Sequence, residues 1–246
     1  MYRGDVESQL LYEGHHSHVG FEPLHVRQCF IKKVYGILSV QLLVTVLIAS
    51  PFVVMDQNKV ARFIFDNMWL FYLSMVTSLC VVVLFACIPS LMTQVPVNYL
   101  LLTLFTIAEG VSVGMISSLY TTTSVVSTLG LVAAVVLALS AFAANTKVDL
   151  TKSLWPYLVA ATVVMMGAGL VLLFFPSHTG MLIYSTAGAL LFSVYIVFDT
   201  QMILGGKSSM QFGVDDYVAA AIALYVDIIS LFIYLLQLFG EQRRGD

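Results

Sequence analysis

The chain has 246 residues, of which 59% are hydrophobic and only 10% charged, with a mean hydropathy of +0.93. That balance excludes a soluble domain of this length, and the apolar residues fall in blocks of about 20, the length that crosses a bilayer as a helix. Continuous runs rather than short alternating segments also exclude a porin-type barrel, and the net charge of −3 says little because charge is confined to tails and loops.

In chain order, residues 1–33 form a polar, His-rich tail without an apolar leader core, expected to be cytosolic. His15, His16, His18 and His25 lie in it, but no Cys or carboxylate completes a metal-ligand set at a standard spacing. A transmembrane domain follows over residues 34–239. Its first span is expected at Val34–Met55, and the second at Met68–Met92. The third is placed at Val97–Leu119, the fourth at Ser124–Ala144 and the fifth at Leu154–Phe175. The sixth runs from Met181 to Leu204, ended by Gly205-Gly206, and the seventh from Asp215 to Phe239. Residues 240–246 are a short C-terminal tail. Short connections make consecutive helices antiparallel neighbours. The basic residues near span ends favour an inner N-terminus, with Arg27, Lys32, Lys33, Lys147, Lys152 and Lys207 on that side, and Lys59, Arg62, Arg243 and Arg244 on the other. Three cysteines make no disulfide framework; Cys29 is in the tail, and Cys80 and Cys87 share a helix face as small packing residues.

Between Met68 and Phe239 three charged side chains fall well inside spans: Glu109, Asp199 and Asp227. All are acids, and no Lys or Arg lies within a span to pair with them. A carboxylate at the centre of a spanning helix costs about 3 kcal/mol on insertion scales. Buried acids without a basic partner stay protonated, share a proton or bind a cation. Helical spacing puts Ser185, Gly188, Phe192, Tyr195, Asp199 and Met202 on one face of the sixth span, and Asp216, Ala220, Ala223, Asp227, Ser230 and Tyr234 on one face of the seventh. The second stripe is small and polar, as close helix approach in a bundle requires, which predicts a central seventh helix. At 1.5 Å per residue Asp199 lies roughly 9 Å before the Gly-Gly stop and Asp227 roughly 15 Å into its helix, so the two carboxyls are predicted to face each other near the 6–7 connection. Such a pair cannot ionise twice cheaply and titrates as a unit. Its oxygens suit Ca²⁺ better than a softer metal. Asp199 and Asp227 are therefore the predicted ion pathway, pH sensor and Ca²⁺ ligands. Glu109, with Thr106, Ser112 and Ser117 near its face, is a second pathway acid or a hydroxyl-bonded structural Glu. Asp216, Tyr195 and Ser230 are candidates to support the gate.

Four stretches carry a family resemblance: "RQCFIKKVYGILSVQL" (Arg27–Leu42), "NTKVDL" (Asn145–Leu150), "YIVFDTQMIL" (Tyr195–Leu204) and "DDYVAAAIALYVDIISLFIYLLQLF" (Asp215–Phe239). Together they resemble the transmembrane Bax-inhibitor-motif family, its Lifeguard branch in particular. The resemblance implies an all-α bundle of seven membrane helices with the seventh central. It also implies Ca²⁺ leak from intracellular stores, pH sensing by an aspartate pair that maps onto Asp199 and Asp227, and suppression of apoptosis. Glu109 in "FTIAEGVSVG" matches an acid that Lifeguard-type members carry on the third helix. The second-helix arginine that latches the aspartate pair in bacterial members is absent; Arg62 lies just before that span. Large DNA viruses carry captured copies of this family, and the sequence is compatible with one. The expected partners are the lipid bilayer, Ca²⁺, protons and apoptosis-regulating membrane proteins in the endoplasmic reticulum, Golgi or plasma membrane; neither nucleic acid nor an organic cofactor is expected. Two rivals differ in class. A non-conducting scaffold for apoptosis regulators would not need the acids for ion flux. An intramembrane aspartyl protease would place its second aspartate in Gly-x-Gly-Asp, where this chain has "LYVD".

Overall fold

The computed structural model describes residues 24–205 and 210–243. His15, His16, His18, Lys207 and Arg244 lie outside the described residues. The helices are α1 (Leu24–Val54), α2 (Gln57–Asp66), α3 (Met68–Cys87), α4 (Val97–Ser117), α5 (Thr122–Asn145), α6 (Leu150–Phe174), α7 (His178–Leu204) and α8 (Tyr217–Phe239). All but α2 are long and apolar enough to cross a membrane, which gives the expected seven spans. Among the described residues the fold is an all-α membrane bundle without strands; one antiparallel bridge, Tyr120 to Gln242, ties the C-terminus to the α4–α5 connection.

Local chemistry sets the boundaries. Asp56, Thr121, Asp149 and Ser177 each cap a helix, accepting from the backbone N–H two or three residues on, which satisfies donors that have no intrahelical partner. The second span is shorter than its apolar run: Pro89 cannot continue the helix, so residues after Cys87 fold into a 3₁₀ turn, Pro89–Met92. The first helix is longer than its apolar run, because residues 24–33, read above as tail, continue α1 beyond the membrane and pack against the end of α7. Amphipathic α2 lies in what reads as a simple loop; it buries Val60 and sets Phe63 edge-to-face against Phe52 of α1, with ring centroids 5.9 Å apart.

Helix α8 is the hub, packed against α7, α1, α5 and α4. Val218, Ala220, Ala221, Leu224 and Tyr225 are fully enclosed on it. By contrast α3 packs on α4, α6 packs on α7, and both turn most of their apolar residues outward to lipid. Cys80 and Cys87 are exposed on α3, so they face the membrane rather than fill packing gaps. Glycine permits the closest crossings. Gly110 and Gly114, four apart on α4, let α1 in so far that a Cβ would meet Ile48 at 3.1 Å and the Ala49 backbone at 3.0 Å. Small residues in that spacing replace the hydrophobic drive that lipid cannot supply. At Gly188 of α7 a Cβ would come within 2.6 Å of the Tyr234 ring, which locks α7 onto α8.

Candidate functional site

Asp199 and Asp227 are brought together where α7 crosses α8, their carboxyls close enough to act on each other. They are 7% and 5% exposed. Oδ2 of Asp227 is enclosed without a hydrogen-bond partner, and among the described residues neither acid interacts with a Lys or Arg. Two acidic groups in contact, shielded from water and without a counter-charge, are held in a state that one proton or one cation can satisfy.

The segment after Asp199 is clamped from two sides. Arg27 of α1 donates to the carbonyls of Met202 (2.6 Å) and Leu204 (3.3 Å) at the end of α7, and to Phe212 in the following connection (2.6 Å). Its guanidinium also stands 4.8 Å over the Phe30 ring. A helix C-terminus exposes unpaired carbonyls and a partial negative charge, so a buried cation there satisfies both at once. Gln201 works from the other side, donating to the carbonyl of Val148 and accepting from the N–H of Leu150, each at 3.0 Å. Gly205, at φ 63°, lets the chain turn out of α7 between these clamps. Sequence reasoning misses both residues as functional. Their only signal is position, Arg27 opening one family-like stretch and Gln201 two residues beyond Asp199.

The other candidates go elsewhere. Glu109 is half-buried on α4, facing Ser78 of α3. It lines a cavity of about 180 Å³ with Ser112, Ser230 and Tyr234. Helices α4 and α8 run parallel, with Asn98 beside Tyr217 and Phe105 beside Tyr225. That register sets Glu109 level with Ile229, about 3 Å along the axis from Asp227. Ser230 therefore supports the Glu109 cavity rather than the aspartate pair. Tyr195 points away from the pair and bonds Thr162 of α6 at 2.8 Å. Asp216 stands at the N-cap position of α8 but turns its side chain back to the preceding loop, accepting from the N–H of Gly213 at 3.1 Å. It lies about 16 Å along the helix from Asp227, too far to act on the pair directly. A third polar link joins α1 to the hub, where Thr45 and Tyr225 share a 2.7 Å hydrogen bond. No group of three or more His, Cys, Asp or Glu occurs among the described residues. The pair offers at most four carboxylate oxygens, fewer than the six to eight that hold Ca²⁺ firmly, so by itself it does not complete a Ca²⁺ site.

The family described as "Inhibitor of apoptosis-promoting Bax1" matches residues 27–244. The chain belongs to this Bax-inhibitor/Lifeguard family. It is 34% identical to human (Homo sapiens) protein lifeguard 3 over 220 residues, 88% of this chain and 70% of that protein. Against mouse (Mus musculus) protein lifeguard 4 the identity is 33% over 235 residues, 96% of this chain and 93% of the relative. This Lifeguard-family chain is thus a multi-pass membrane protein of an anti-apoptotic family, and the matched region opens on Arg27, the clamp of α7.

Proposed function

We propose that this protein is a proton-sensitive Ca²⁺ leak pathway of an intracellular store membrane, the endoplasmic reticulum or Golgi, with the Asp199–Asp227 pair as its gate. Steady leak lowers store Ca²⁺ and so reduces the Ca²⁺ available for a death signal, which is how the family's anti-apoptotic role would be served. The observation that carries the reading is the contact of two enclosed acids on adjacent helices, with no basic partner among the described residues.

The sign follows from charge. With one proton between them, the acids hold α7 against α8 and the path stays shut. As pH rises that proton leaves, two like charges face each other in a low-dielectric setting, and the helices part or a cation enters between the oxygens. Flux therefore increases with pH. The clamps at Arg27 and Gln201 fix the end of α7, so separation at Asp199 is expected as a local tilt rather than loss of the helix. The half-buried Glu109 and its cavity, at nearly the same depth, give an entering cation a second oxygen site across α8.

The test is Ca²⁺ flux from liposomes carrying purified protein. Wild type should leak more at pH 8 than at about pH 6, and Asp227→Asn should show a changed leak that no longer follows pH. Flux of wild type equal to that of empty liposomes at every pH would exclude conduction and leave the scaffold reading.

A further inference from the structure

A groove of about 510 Å³ opens toward lipid between α1 and α5, floored by α4 and α8. The two walls barely touch each other, whereas each packs on the hub. Leu42, Val46 and Ala49 form one wall, Val125, Ala133 and Leu137 the other, and Val113, Ile228 and Phe232 the floor. From Val54 to Leu42 the α1 wall runs roughly 18 Å, close to the ~15 Å of hydrocarbon in one leaflet. That length and lining suit one extended acyl chain.

Two polar features lie at one end of this apolar trough. Ser117, which lines it, is 1% exposed, and its Oγ has no hydrogen-bond partner. An enclosed hydroxyl without a partner is costly unless a ligand completes it. At the mouth, Arg243 donates to the carbonyls of Val53 and Met55 and to Oγ1 of Thr122. Val53 and Thr122 are themselves groove residues. These bonds use three of the five guanidinium N–H donors, so among the described residues two remain for a ligand. Lys59 and Arg62 of α2 lie on the same side of the membrane, on a short amphipathic helix of the kind that rests at a lipid surface.

We propose that this groove is a binding site for one anionic phospholipid. One acyl chain lies in the trough past Ser117, and the lipid's phosphate is held by Arg243. The inner end of the chain reaches Thr45, which is bonded to Tyr225, and runs along Ile228 and Ile229, the two residues after Asp227. The site does not depend on ion conduction.

The experiment is native mass spectrometry of the full chain after extraction from vesicles of equimolar phosphatidylcholine and phosphatidylglycerol. Wild type should retain one phosphatidylglycerol in preference to phosphatidylcholine. Arg243→Gln should reduce that preference about fivefold, the effect of one basic residue on an anionic lipid surface. Ala133→Phe, at an outward-facing position of the α5 wall, should fill the trough and abolish retention of either lipid. Val163→Phe, on the outward face of α6, controls for added bulk and should leave retention unchanged. Equal retention of the two lipids by wild type overturns the headgroup assignment, and undiminished retention in Ala133→Phe overturns the groove. Because Ala133 makes no part of the Arg243 contacts, that arm decides the site even where Arg243→Gln fails to fold.

Discussion

Asp199 and Asp227 have each other and, among the described residues, no other charged neighbour; Glu109, one helix away at nearly the same depth, has serines beside it and a cavity in front. The three side chains carry the same functional group, so the contrast lies in their surroundings. A hydroxyl can bond a carboxyl in either protonation state, so a cavity bordered by serines can accommodate the Glu109 carboxyl charged or neutral. Two carboxyls in contact have no such tolerance, because every change in protonation alters the force between the helices that carry them. A gate needs the second environment, and a waypoint needs the first.

The largest expected effect comes from making the pair resemble the single site. Asp227→Asn leaves one acid beside an amide that cannot ionise, so the repulsion that separates α7 from α8 never develops. Liposome flux should lose most of its dependence between about pH 6 and pH 8, while Glu109→Gln keeps the wild-type slope and lowers only the amplitude. A Glu109→Gln protein whose flux no longer follows pH would reverse the two roles.

Next is the clamp that only the pair possesses. Arg27→Ala removes a cation from three carbonyls near the end of α7, a loss expected to cost on the order of 3 kcal/mol in a detergent melt. Arg27→Lys should recover part of it, since an ammonium keeps the charge but not the fork that spans several acceptors. The clamp also bears on the missing second-helix arginine. Here the basic residue closest in role enters from α1 and binds the backbone beyond Asp199 rather than the carboxyls. Arg27→Ala is therefore expected to raise flux at low pH, where the proposed gate would be shut; an unchanged low-pH leak would confine Arg27 to stability.

Much of this arrangement is legible in the sequence, for reasons that also mark the limits. Spans of about 20 apolar residues and their Gly, Pro and polar stops read directly, because lipid demands an unbroken helix. The aspartate pair reads from two stripes on antiparallel neighbours, since periodicity survives errors of a residue or two. What fails is anything set by how far a helix extends or rotates. The stripe through Asp227 also contains Asp216, but α8 starts at Tyr217, which leaves Asp216 outside the helix with its carboxyl on the N–H of Gly213. Arg27 and its neighbours read as a tail because polarity ends the hydrophobic run, although α1 continues through them. Helix α2 is hidden for the opposite reason: its ten residues are too few and too polar for a span, and their amphipathic period shows only once Val60 and Phe63 have surfaces to meet.

The smallest expected effect falls on Tyr195, one turn before Asp199 and on the same stripe. Spacing alone makes it a gate residue, whereas the phenol turns to Thr162 on the outer helix α6. Tyr195→Phe keeps the ring that packs on Phe192, at a centroid distance of 5.8 Å, and removes only the hydroxyl. The expected cost is about 1 kcal/mol, a partly buried neutral hydrogen bond. Thr162→Val should cost a similar amount, and the double variant should cost less than the sum, because each single change already breaks the bond. Flux and its pH slope should match wild type in all three proteins. A pH slope altered by Tyr195→Phe, with an unaltered melt, would bring the phenol back to the pair and make the α6 contact incidental.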